Sequence, residues 1–152
     1  MQIRRTHFRE EHRPLLLLAD PNWPLVEEYL KTSLFFEGIL DKEVLGGILV
    51  LEEKSGGLAE IRNVSVAEAF QRQGIGRELI QAAMLHCEAN KAISLIRICT
   101  ANSSIHQLRL YQRLGFEMVD VNWNYFVENY PEPIFEDGMA CKHQIVLEKK
   151  MQ

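Results

Sequence analysis

The sequence predicts a mixed α+β fold: a mostly antiparallel central sheet of about seven strands flanked by about four helices. Three observations carry that prediction. Residues 34–66 hold three apolar, β-branched runs separated only by short polar or glycine turns, the pattern of an antiparallel meander. Residues 76–90 and 104–115 carry apolar side chains at helical spacing, and the nearly all-apolar run 92–100 lies between them. The order strands, helix, strand, helix, strands then suits a mixed sheet better than a fully parallel one. A chain of 152 residues is expected to form one domain over 1–152, burying about two thirds of its unfolded surface and folding without staples.

Taken in order, residues 2–8 read as a short strand. Pro14 suits the first turn of a helix through Leu18, which Asp20-Pro21-Asn22 breaks. Residues 23–31 form a second helix whose stripe of Trp23, Val26, Tyr29 and Leu30 is expected to face the core. Strands follow at 34–40 and 44–52 around the polar turn Asp41-Lys42-Glu43. Gly46-Gly47 inside the second marks a bulge or a close neighbour. Ser55-Gly56-Gly57 turns the chain into a strand at 58–66.

The next helix, after Gly76 and running to about Asn90, turns Ile75, Leu79, Ala82, Ala83 and Cys87 inward. The strand 92–100 reads as covered on both faces. Asn102-Ser103-Ser104 offers N-cap residues for a helix carrying Leu108, Tyr111 and Leu114 and stopped by Gly115. Strands at 116–121 and 143–148 close the chain. Between them, residues 122–142 combine Trp123, Tyr125, Phe126, Tyr130 and Phe135 with Glu128, Glu132, Glu136 and Asp137. Pro131 and Pro133 exclude a regular helix or central strand there. This connection is expected to be a lid or wall of an acceptor site, or an ordered loop sealing a sheet edge or making a homodimer contact.

Hydrophobic content of 47% and charged content of 25% are those of an ordinary globular protein. The formal charge of −4 gives no footprint for nucleic acid or an anionic membrane and mildly favours cationic small-molecule or peptide partners. Cys87, Cys99 and Cys141 are odd in number, share no metal-type spacing and read as free thiols of a reducing compartment. No metal is expected: the five histidines form no ligand pair, and His7 and His12 read as solvated. Leu15 to Leu18 is too short for a signal or membrane span, so the expected location is the cytoplasm.

The chemistry is expected at residues 60–77. A strand ends at Val66 and a helix begins near Arg77, with Gln71-Arg72-Gln73-Gly74-Ile75-Gly76 between them. Two glycines at a helix mouth let a ligand approach the backbone and leave amide N-H groups without intrahelical partners, an anion site of pyrophosphate size. A tight turn needing glycine for packing alone would look the same. Neither a P-loop nor a dinucleotide fingerprint fits, because no Gly-Lys-Ser/Thr follows and Leu79 replaces a third glycine.

Glu60-Ile61-Arg62-Asn63-Val64-Ser65-Val66, a short spacer and then Gln-x-x-Gly-x-Gly resemble the acetyl-CoA signature of the GNAT superfamily of N-acetyltransferases. Leu110-Tyr111-Gln112-Arg113-Leu114-Gly115-Phe116 resembles that family's second signature. The resemblance covers about residues 44–120. It implies acetyl-CoA as co-substrate, with Gln71, Arg72, Gln73, Gly74, Ile75, Gly76 and Arg77 around the pyrophosphate. The pantetheine arm would run beside Val64, Ser65 and Val66, between splayed strands. Where the family often places a CoA-contacting Asn, this chain has Ser104, with Asn102 two residues earlier.

The resemblance also implies direct acetyl transfer to an amine. Glu60 lies fourteen residues before Gly74, where some members carry a glutamate base; it reads equally as a structural carboxylate. Backbone N-H groups of Val64 to Val66 are expected to stabilise the thioester oxygen if a bulge frees them. Tyr111 matches the tyrosine near the CoA sulfur, a proton donor to the leaving thiolate or a packing residue. Cys99 has no neighbouring base to make it a nucleophile. The acceptor is expected to be a small cationic molecule or a peptide or protein amine. The alternative is a non-catalytic protein that binds acyl-CoA as a sensor or structural ligand.

Overall fold

A computed structural model describes residues 1–152. The chain forms two compact units, residues 1–96 with 151–152, and residues 97–150. The first holds β1 (Gln2–Thr6), α1 (Arg13–Ala19), α2 (Trp23–Leu30), β2 (Ser33–Leu40), β3 (Val44–Glu53), β4 (Leu58–Val66), α3 (Ile75–Ala89) and the start of β5 (Leu95–Ala101). The second holds the rest of β5, then α4 (Ile105–Arg113), β6 (Glu117–Asn122), α5 (Tyr125–Asn129), β7 (Ile134–Glu136), β8 (Met139–Cys141) and β9 (Gln144–Lys150). Seven strands form one sheet in the order β1-β2-β3-β4-β5-β9-β6, and β7 pairs with β8 in a separate hairpin. The mixed, mostly antiparallel sheet matches the expected fold class, with five α-helices rather than about four.

In the first unit β1 to β4 pair consecutively and antiparallel. One face of this meander packs against α1 and α2 through Leu15, Leu16, Val26, Tyr29, Leu30, Phe35, Ile48 and Val50. Burying each such side chain contributes about 1.5–3 kcal/mol. Tyr29 is core as its helical spacing predicts, and Trp23 packs partly buried against the same cluster. The Gly46-Gly47 expectation also holds: Gly38 pairs with Gly47 and Ile39 with Leu45, so Gly46 is the extra residue of a β-bulge.

Boundaries differ where side chains compete with the ladder. β1 stops at Thr6, because the Arg9 amide donates to His12 Nδ1 (3.0 Å) and a 3-10 turn forms at Glu10–His12. β5 starts at Leu95, three residues late, because Asn90 Oδ1 accepts from the Ala92 amide (3.0 Å) and turns the chain first. His12 is fully buried, not solvated. Its Nε2 lies 2.6 Å from Glu37 Oε1, and the Arg9 guanidinium donates to both Glu37 and Glu11. Glu11, His12 and Glu37 have the donor types of a metal site, but Arg9 already supplies the compensating positive charge.

In the second unit the expectation of no regular helix across 122–142 is corrected, while that of no central strand stands. α5 fits ahead of Pro131, and the β7–β8 hairpin follows Pro133. Asp137 (φ 50°) and Gly138 (φ 77°) supply the two left-handed positions of its tight turn. The three cysteines are free, with Cys87 and Cys141 buried. No helix is long and apolar enough to cross a membrane.

Candidate active site

The β4–α3 connection is built to leave amides exposed. A 3-10 turn at Glu68–Phe70 reverses the chain after Val66, and the Gln71 side-chain amide ties it down by donating to Val66 O (3.0 Å). Arg72 (φ 65°) and Gly74 (φ 85°) then take left-handed conformations, and helix α3 starts at Ile75, two residues earlier than the sequence reading placed it. Gly74 is the N-cap and no side chain caps the helix, so its first-turn amides keep their donors. A Cβ built on Gly74 meets nothing within 4 Å; the space beside it is open. Arg72, Gln73, Gly74 and Arg77 are exposed, whereas Ile75 is anchored in the core. Open backbone, unspent donors, the positive end of a fifteen-residue helix and two cationic side chains together suit a polyphosphate.

Strand β4 carries a feature that alternation does not show. Val50 pairs with Asn63 but Leu51 pairs with Ile61, so Arg62 is the extra residue of a bulge. Consecutive residues therefore reach the same partner: the Arg62 guanidinium lies 4.7 Å above the Tyr29 ring, and Asn63 Nδ2 donates to the Tyr29 hydroxyl (3.2 Å) and to Leu16 O (3.1 Å). The bulge is not within Val64–Val66, where pairing to β3 is regular. Alternate residues there direct their amides away from β3, toward β5 on the other side of β4.

Glu60 is half-buried and ion-paired. Lys54 Nζ stands 2.7 Å from its Oε1 and Arg62 Nε 3.8 Å from its Oε2. Glu52 beside it is bound to Arg62 Nη1 at 2.9 Å and lies 3.5 Å from Lys54 Nζ. Sequence reasoning missed Glu52, Lys54 and Arg62; the signal was the alternation of charge along 52–62, which a bulge folds onto one face.

In the second unit the Leu-Gly-Phe signature is a helix stop. The Gly115 amide donates to Gln112 O (3.0 Å) and the Phe116 amide to Tyr111 O (3.0 Å), with Gly115 at φ 96°, a Schellman closure. This fixes Tyr111 on the last turn of α4, its ring 6.3 Å from that of Phe116. Burial, with Cys99 adding to it, pushes the Tyr111 phenol up, so it stays protonated and able to donate. Asn102 and Ser104 are engaged elsewhere. Asn102 Nδ2 donates to Ala140 O, and its Oδ1 accepts from the amides of Lys142 and His143. The Ser104 hydroxyl donates to Glu136 Oε1 (2.9 Å), as does that of Ser103 (3.1 Å), and Ser104 makes no side-chain cap.

With this geometry in place, comparisons with known proteins decide the family. The model of the acetyltransferase (GNAT) family matches residues 2–116. The chain belongs to the GNAT family. Among proteins similar to it, the uncharacterized N-acetyltransferase YvbK of Bacillus subtilis (strain 168) is 38% identical over 138 residues, 91% of this chain and 88% of that protein. A Bacillus subtilis acetyltransferase solved in complex with CoA superposes with a TM-score of 0.92 at 34% identity, over 99% of each chain. A GNAT family acetyltransferase from Elizabethkingia anophelis with acetyl-CoA bound gives a TM-score of 0.89 at 37% identity, over 98% of each. The chain is thus a GNAT acyltransferase, an enzyme of acetyl-CoA-dependent acetylation, and the CoA-bound relatives agree with the polyphosphate character of the α3 N-terminus.

Proposed function

We propose that this GNAT enzyme moves the acetyl group directly from acetyl-CoA to a primary amine of a small cationic molecule or a peptide, in the cytoplasm. The observation that carries the reading is the uncapped α3 N-terminus, with Gly74 left-handed and open beside it. Residues Gln71 to Arg77 hold the pyrophosphate, and backbone groups of Val64, Ser65 and Val66 hold the pantetheine arm. Asn102 and Ser104 act through the chain: they fix the 136–143 segment instead of touching CoA.

Glu60 receives the proton that the acceptor nitrogen must lose before it attacks the thioester. Amides of Val64 to Val66 directed away from β3 stabilise the oxygen that gains charge. Tyr111, kept protonated by burial, supplies a proton to the departing thiolate. No protein nucleophile takes part; the rate gain comes from holding amine and thioester together.

Calorimetric titration with acetyl-CoA, followed by thiol release over a panel of amines, tests this. Binding and release are expected for the wild type. Glu60→Gln and Tyr111→Phe should each keep binding and lose about 100–10,000-fold in kcat, the usual reach of one acid-base or donor group. Binding without release on any amine would overturn the transfer reading, and undiminished kcat in both variants would overturn the two roles.

A further inference from the structure

We propose that Glu52 and Glu60 form the seat for the acceptor's ammonium group, and that Lys54 fills this seat until a primary alkylammonium displaces it. The proposal rests on the acetyl-transfer reading above and deepens it by naming the acceptor's chemistry and place.

The seat lies on one row across three strands. Ser33 of β2 pairs with Glu52 of β3, and Glu52 pairs with Glu60 of β4. Directly opposed residues share a face, so all three side chains stand on the face that carries Phe35 and Val50 beneath α1 and α2. The carboxylates are mostly shielded, with 16% and 14% of their side chains exposed. Between them is the Lys54 ammonium, 2.7 Å from Glu60 and 3.5 Å from Glu52. Chemically it is a primary ammonium on an alkyl stem, so the structure shows what kind of group the pair accepts.

Of the two cations present, Lys54 is the exchangeable one. Arg62 is fixed by its stack on Tyr29 and its bond to Glu52. Lys54 sits one residue beyond the end of β3, 35% exposed, on a stem with four rotatable bonds. An ammonium carries three N-H donors. One is donated to Glu60, Glu52 pairs with the charge at 3.5 Å, and the Ser33 hydroxyl, 6% exposed with no hydrogen-bond partner, offers a further acceptor in the same row.

Charge sets the selectivity. Two carboxylates and two cations balance; exchange of Lys54 for another ammonium keeps that balance, whereas a neutral guest leaves a shielded carboxylate uncompensated. A secondary or tertiary amine brings fewer donors to three acceptors. Seating also begins the chemistry, since the acceptor N-H then points at Glu60. One ammonium proton passes to Glu60, the nitrogen lone pair forms the C-N bond and the C-S bond breaks; the second proton that leaves nitrogen balances the one the thiolate gains, giving an acetamide, free CoA and a protonated Glu60.

Thiol-release kinetics with n-butylamine as probe test this on the full chain. Lys54→Met should lower KM for n-butylamine about tenfold with kcat within about threefold, because a competitor is gone and the machinery is not. Lys54→Arg, which keeps a cation in place and guards against a folding defect in the first variant, should not lower KM. Glu52→Gln should raise KM about tenfold while kcat and acetyl-CoA affinity hold. N,N-dimethylbutylamine should not compete with n-butylamine. An unchanged or raised KM in Lys54→Met, with the wild type active, overturns the seat and leaves acetyl transfer standing. Acetyl-CoA binding without release on any amine in the wild type overturns the transfer reading and the seat with it.

Discussion

The two glycines of the β4–α3 connection allow ligand contact to be separated from fold stability. Gly76 is the second residue of α3, and a Cβ built there meets only Val66 Cγ2 at 3.7 Å, an ordinary van der Waals distance. Gly76→Ala therefore fits the fold. Alanine's helix propensity and the narrower unfolded ensemble should stabilise the protein by about 0.5–1 kcal/mol. For a chain of this size that raises Tm by about 1–4 °C. If the pyrophosphate approaches the backbone here, the same methyl obstructs it and costs one or two charge-assisted hydrogen bonds. At about 1.5–3 kcal/mol each, the loss in acetyl-CoA affinity is about 10-fold or more.

Gly74 gives the complementary case. Its Cβ would meet no protein atom, but φ of 85° costs an alanine about 1–2 kcal/mol, a cost that asparagine largely avoids. Gly74→Ala should lower Tm and Gly74→Asn should spare it, while both weaken acetyl-CoA binding. Thermal melts and calorimetry on the same samples read both quantities. Higher Tm in Gly76→Ala with unchanged acetyl-CoA affinity would refute the close approach, since nothing else in the substitution opposes binding.

Two further predictions concern a buried thiol and a half-buried amide. Burial, with Glu53 and Glu88 adding charge, pushes the Cys87 thiol up to about 12. The unfolded thiol ionises from about 8.5, so between those values the native state holds the extra proton and stability falls as pH rises, by about 1.4 kcal/mol per pH unit from this group. Urea melts at pH 8 to 11 should show that decline, and Cys87→Ala should flatten it; parallel slopes in the two proteins would refute the assignment. Asn102→Ala strips partners from the Lys142 and His143 amides and from Ala140 O. It should cost about 1–3 kcal/mol and speed amide exchange at 140–143 without moving acetyl-CoA affinity beyond about twofold. Lost affinity at unchanged stability would instead make Asn102 a CoA contact.

What the sequence disclosed was whatever local pattern governs. The meander at 34–66, α3, and the glycine stop of α4 were legible because burial alternation, helical spacing and left-handed glycines act within a few residues. The Asp137-Gly138 hairpin was equally local, but two nearby prolines drew the reading toward a lid or an ordered loop. The opposite held for Asn102, whose amide is spent on residues about forty positions away, and for His12, buried against Glu37 twenty-five positions on. Polar residues of this kind look solvated in a sequence, because nothing local reveals the partner that makes burial tolerable.

The bulge at Arg62 shows most clearly what lay beyond sequence pattern, and it has a mechanistic consequence. In a regular strand Glu60 and Asn63, three apart, would face opposite sides of the sheet. The extra residue returns them to one face: Glu60 pairs with Glu52, Asn63 pairs with Val50, and Glu52 and Val50 lie two apart on β3. The proposed base is thus carried to the side that α1 and α2 cover, while Val66, on the opposite side, lies beside Gly76 at the head of α3. One strand thereby serves two purposes, directing carboxylate chemistry toward one face and receiving the phosphate-binding helix on the other. Deleting Arg62 would leave Glu60 two positions from Asn63 and so still opposite Glu52 on the same face. Inserting one residue between Glu60 and Ile61 would instead turn Glu60 to the α3 side, so the insertion should abolish transfer even where acetyl-CoA still binds.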